Sequence, residues 1–130
     1  MSIDRITIET LVGTKISNID LYQKAFTHKS ALKEDPTLTG SFETLEFIGD
    51  SVLGFVITKF LYDKYEDRQE GFLTKARTKL VRGETLAGIA SKLELYKWIR
   101  MDEKGMRNQW IHNPKILEDV FEALVGAIYM

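Results

Sequence analysis

Acidic residues recur at helical spacing in two apolar stretches: Glu43, Glu46 and Asp50 in SFETLEFIGDSVLGFVITKFLYDKY, then Asp119 and Glu122 in PKILEDVFEALVGAIYM. At about 100° per residue, Glu46 and Asp50 fall roughly 60° and 20° from Glu43 around a helix axis, so the three share one face. Asp119 and Glu122 lie one turn apart. If the two helices pack together, four or five acids converge with no lysine or arginine between them to neutralise the charge. Two carboxylates about 5 Å apart at an effective dielectric near 20 repel by roughly 3 kcal/mol, so such a cluster must take up protons or a cation. Oxygen-only ligation suits magnesium or manganese, and with no cysteine and only His28 and His112 as softer donors, zinc is disfavoured. The bland alternative is a set of solvated acids on amphipathic helices. It fits poorly with Leu45, Phe47, Ile48, Val52, Leu53, Phe55, Val56 and Ile57 around the first three acids, a pattern that predicts a helix buried on nearly every side.

The elements that must carry these residues read as helices. Only Pro36 and Pro114 interrupt the chain as prolines, and no long window alternates like a strand, so the class is all-α. Helices are predicted over 4–12, ending at Gly13, and after a cap at Asn18. A loop spans 33–41. The long acidic helix follows over 42–65, then 72–82 and 84–93 separated by Gly83. Residues 96–113 read as a loop with short helical turns, and Asn113 followed by Pro114 marks the start of the last helix.

At these residues the chain resembles the endonuclease domain of the ribonuclease III family. The string ETLEFIGDSVL at 43–53 is similar to that family's signature. AFTHKSAL at 25–32, EGFLTKARTKLVRGETLA at 70–87 and KILEDVFEALVGAIY at 115–129 follow in the family's order and spacing. The resemblance implies a ribonuclease III-like helical bundle that cuts double-stranded RNA as a homodimer with magnesium, for which manganese can substitute. It places the metal-site carboxylates on Glu46, Asp50, Asp119 and Glu122, two auxiliary acids on Glu43 and Glu70, and a dimer-contact aromatic on Phe47. Phe42 and Thr44 depart from the family pattern, which has Asn and a basic residue there.

Among the weaker signals, Lys75, Lys79 and Arg82 form a basic stripe opposite Leu73, Ala76 and Leu80. The family resemblance tips it toward RNA phosphate contact, whereas Arg77 points elsewhere and reads as structural. His28 reads as a hydrogen-bonded structural residue, and Trp98 and Trp110 as packing residues. A catalytically silent duplex-RNA-binding relative is the rival, disfavoured because all six acids are present; a helical dimerisation module with merely structural acids is another.

With 130 residues and 44% hydrophobic composition, the chain has the material for one core. A net charge of −1 is unusual for a ligand of RNA, so charge must be patterned and much of the affinity must come from elsewhere. In many family members a double-stranded RNA-binding domain follows. The apolar helical pattern still running at Met130 gives the expectation that the sequence stops at a truncation there. No secretory signal is readable, and Glu46, Asp50 and Lys59 interrupt the longest apolar stretch, so no membrane span and an intracellular, cytoplasmic location are expected.

Overall fold

Local signals set the helix boundaries. A computed structural model describes residues 3–130. Asp4 caps α1 (Arg5–Val12) by accepting the Thr7 N–H at 2.8 Å, and Gly13 ends it in the left-handed conformation at φ 79°. Asn18 caps α2 (Ile19–Ala25) through the Asp20 N–H at 3.0 Å. A 3₁₀ turn, Lys29–Lys33, and a loop lead to α3 (Glu43–Lys64). Then come α4 (Glu70–Val81) and α5 (Gly83–Lys92), the short α6 (Glu103–Arg107) between two further 3₁₀ turns, and α7 (Pro114–Tyr129). Asn113 caps α7, its Oδ1 accepting the Lys115 N–H at 2.8 Å, with Pro114 in the first turn.

The all-α expectation holds: among the described residues the only β feature is an isolated parallel bridge between Thr27 and Arg100. In it His28 N–H donates to Arg100 C=O and Arg100 N–H to Phe26 C=O, both at 2.8 Å, tying the end of α2 to the segment before α6.

α7 runs through the middle of the bundle against α3, α5 and α2. Val120, Ala123, Leu124 and Ala127 line its inner side, meeting Ala90, Leu95, Phe26 and Leu45 in one core. Trp98 packs edge-on to Phe26 at 6.2 Å, as expected of a packing residue. Trp110 is more open at 37% exposure, with the Lys104 ammonium 6.0 Å from its ring.

One expectation needs correction. The helix over 43–64 was expected to be buried on nearly every side, yet within one chain it buries only Leu45, Gly49 and Leu61. Phe47 is 81% exposed and Phe55 71%, with Val56, Phe60 and Tyr62 also in solvent. Only the sides facing α7 and α4 are covered, so the all-round apolar pattern exceeds what one chain can bury. No described helix is long and apolar enough to cross a membrane.

Candidate metal centre

Two glycines bring the acids together. A Cβ on Gly49 of α3 would run into the Glu122 backbone carbonyl, and one on Gly126 of α7 would run into the Leu45 carbonyl. The helices therefore cross backbone to backbone, closer than any side chain would permit. Glu46 and Asp50 lie to either side of Gly49. Asp119 and Glu122 approach the crossing from α7.

Glu46, Asp119 and Glu122 each place one carboxylate oxygen within 4.8 Å of the others. Glu122 is only 6% exposed. Burial, then the Asp50 carboxylate, which can accept a hydrogen bond from the protonated Glu122 carboxyl and adds its charge, then the charges of Glu118 and Glu46, push the Glu122 carboxyl up to about 8. Glu46 is raised as well, by burial first and by Asp119 next. Such shifts mark acids held together against their repulsion.

Lys115 gives partial relief. Its Nζ lies 3.1 Å from Asp119 Oδ1 and 3.7 Å from Glu118 Oε1. The approach to Asp119 is an ion pair outside hydrogen-bond geometry, so Asp119 Oδ1 stays buried without a hydrogen-bond partner. A carboxyl raised to about 8, a second raised acid beside it and an all-oxygen donor set fit a hard divalent cation.

Of the remaining predicted residues, Glu43 lies in the first turn of α3 and accepts a hydrogen bond from Ser41 Oγ at 3.1 Å. It lines the same open basin, about 460 Å³, as Glu46, Asp50 and Glu122. Glu70 is not brought to the cluster within the chain. It is exposed at the start of α4, in a separate groove with Tyr62, Leu73 and Arg77. Lys75, Lys79 and Arg82 are all exposed, and the two lysines make no ion pair among the described residues. Arg77 instead donates to Thr58 Oγ1 at 3.1 Å, fastening α4 to α3.

The sequence reading missed Glu118 and Lys115, which join Glu122 in the basin, Lys115 also pairing with Asp119. Helical spacing was the available signal, since Lys115 to Asp119 and Glu118 to Glu122 are both four residues apart.

The two departures differ in consequence. Thr44 is exposed, whereas Phe42 is buried at the start of α3, which has no side-chain cap there. The Phe42 ring instead meets the His28 ring at 5.8 Å and 64°. His28 is hydrogen-bonded, as expected, through Nδ1, with Ser30 Oγ at 2.8 Å and Ser30 N–H at 3.1 Å. Its ring borders a second cavity of about 190 Å³ shared with Glu43, Glu46 and Asp119.

Residues 43–130 match the family model described as the ribonuclease III domain. The chain is 44% identical over 122 residues to a putative protein of Paramecium bursaria Chlorella virus 1, covering 94% of this chain and 43% of that protein. It is 44% identical over 121 residues to ribonuclease 3 of Francisella philomiragia, covering 92% of this chain and 49% of that protein. The chain thus spans about half the length of these curated relatives or less. Its fold is similar to the nuclease domain of ribonuclease III from Campylobacter jejuni, with a TM-score of 0.84 and 34% identity over 94% of this chain and 82% of the other. That structure concerns flexibility in the region involved in dimer formation of the Campylobacter domain.

Proposed function

The chain belongs to the ribonuclease III family, and on that premise we propose that it is a metal-dependent endonuclease hydrolysing phosphodiester bonds in double-stranded RNA as a homodimer. The observation that carries the reading is the convergence of Glu46, Asp119 and Glu122 within 4.8 Å at the α3–α7 crossing, with Asp50 beside Glu122 in the same basin.

Glu46, Asp50, Asp119 and Glu122 would hold magnesium, or manganese in its place. When bound, the ion supplies a water of lowered pKa and charge stabilisation for the phosphate and leaving oxygen. The chain's own part is to hold Glu46, Asp119 and Glu122 together over a backbone crossing, with Asp50 beside them at the basin, so that the ligands are gathered before the ion arrives. Glu122, raised to about 8, holds a proton near neutral pH and must release it for ligation, so affinity rises with pH. Glu43 assists from the basin's edge. Glu70 has no route to the cluster of its own chain, so its assistance requires the partner subunit.

Lys75, Lys79 and Arg82 supply exposed cations along α4 for phosphates of the duplex. Phe47, exposed beside Glu46, together with Phe55, Phe60 and Phe72, supports the dimer: a lone chain leaves these large apolar side chains in water. Incubating the domain with long duplex RNA in magnesium, calcium or EDTA tests the reading. Fragments that form only with magnesium are expected; binding without cleavage in every condition would favour the silent relative.

A further inference from the structure

His28 is fixed as a hydrogen-bond donor. Ser30 Oγ accepts the Asp102 N–H at 2.9 Å, so its own proton is available for His28 Nδ1, 2.8 Å away. The Ser30 N–H also points at Nδ1, at 3.1 Å. With two donors converging on it, Nδ1 is bare, and the neutral ring carries its proton on Nε2. Phe42 at its edge and the His28 N–H bond to Arg100 C=O fix the plane. Among the described residues Nε2 has no hydrogen-bond partner.

His28 lines a cavity of about 190 Å³ with Lys29, Glu43, Glu46 and Asp119, against Phe42 and Ile116. Three carboxylates against one ammonium leave the lining net acidic, so without a bound cation it offers no phosphate site. An apolar group would leave the Nε2 proton unpaired. A hydroxyl satisfies both sides, its oxygen accepting from Nε2 and its proton donating to a carboxylate. The space exceeds the roughly 30 Å³ share of one water and suits a sugar, whose carbon face would rest on Phe42 and Ile116.

We propose that His28 holds a ribose 2′-hydroxyl of the RNA strand through Nε2–H in this cavity, next to the carboxylate cluster. The inference rests on the RNA-cleaving function above and makes His28 a determinant of RNA over DNA at one nucleotide.

The experiment scans single 2′-deoxy substitutions around the cleavage point of a duplex RNA, with wild type, His28→Asn and His28→Gln, in magnesium. Asn keeps an acceptor for the Ser30 N–H but is too short to reach the cavity, whereas Gln restores the reach. In wild type, one deoxy position is expected to lower kcat/KM by about three- to tenfold, the worth of one neutral hydrogen bond. His28→Asn should lose a similar factor on all-RNA duplex and nothing further at that position, and His28→Gln should recover part of both. Equal deoxy sensitivity in wild type and His28→Asn, or a wild type indifferent to every position, overturns the hydroxyl contact while leaving the nuclease intact. A wild type that cleaves no duplex overturns the functional reading itself. Imidazole nitrogen NMR of the wild type provides a readout independent of any variant's folding: the Nε2–H tautomer is expected, and an Nδ1–H tautomer would overturn the proposal.

Discussion

Replacing Glu122 with Gln should stabilise the metal-free protein and abolish its chemistry. The Glu122 carboxyl is raised from 4.5 to about 8, and the residue is 6% exposed, so solvent screens the effect little. An acid with a raised folded pKa is protonated in the folded chain and ionised in the unfolded one between those values. Stability is thus full below about pH 4.5 and falls as pH rises to about 8. At about 1.4 kcal/mol per unit, the loss is about 3 kcal/mol at pH 7 and about 5 kcal/mol above pH 8, as ceilings, because the Glu122 carboxyl interacts with several neighbouring acids at once. Gln keeps the shape and does not titrate. Thermal melts in EDTA from pH 4.5 to 8.5 should show wild type and Glu122→Gln together at the acid end and diverging above it, by up to about 10 °C at pH 7. Magnesium should then reverse the order, since it stabilises only the chain that binds it well. Cleavage by the variant should fall at least about a hundredfold, with partial rescue at high magnesium or manganese, while duplex binding persists. Parallel melting profiles across this range would show that Glu122 does not carry the strain assigned to it. Wild-type cleavage at limiting magnesium would remove it from the ligand set.

Gly49→Ala puts a methyl group into the Glu122 carbonyl, so it should cost about 1–3 kcal/mol in denaturant melts and separate the acids enough to reduce cleavage more than stability; an unperturbed melt would contradict the close crossing. Phe47→Ala, at a side chain 81% exposed in one chain, should leave the fold intact by circular dichroism and weaken the dimer in sedimentation at micromolar concentration, whereas an unchanged dimer would place the interface elsewhere. Replacing Lys75, Lys79 and Arg82 with Ala should weaken duplex binding for every sequence and lower the slope of log affinity against log salt by about one per lost phosphate contact; an unchanged slope would assign the stripe to solvent.

Helix ends were legible because their causes are local: Asp4 and Gly13, Asn18, and Asn113 with Pro114 each act within four residues. The shared face of Glu43, Glu46 and Asp50 was legible for the same reason. Which acids of α3 meet which of α7 depends on Gly49 and Gly126, and a glycine in a helix does not announce that another backbone will rest on it. The apolar pattern of α3 was readable, but it was assigned to a core within the chain, since periodicity reports that a face is apolar without saying what covers it. Glu70 illustrates the limit from the other side: a position carried over by resemblance has no spacing argument of its own, and the single chain leaves it apart from the cluster.

The glycine crossing also acts as a fulcrum. At 1.5 Å of rise per residue, Glu122 lies only about 3 Å along α7 from the midpoint of the contact, and Pro114 about 15 Å. A 5° rocking of α7 about that point displaces Pro114 by about 1.3 Å, Asp119 by about 0.7 Å and Glu122 by about 0.3 Å, and of these only Glu122 stays inside the roughly 0.5 Å tolerance of a working ligand site. Rocking is therefore geared down most at Glu122, and Lys115, one residue from the swinging end, travels several times farther.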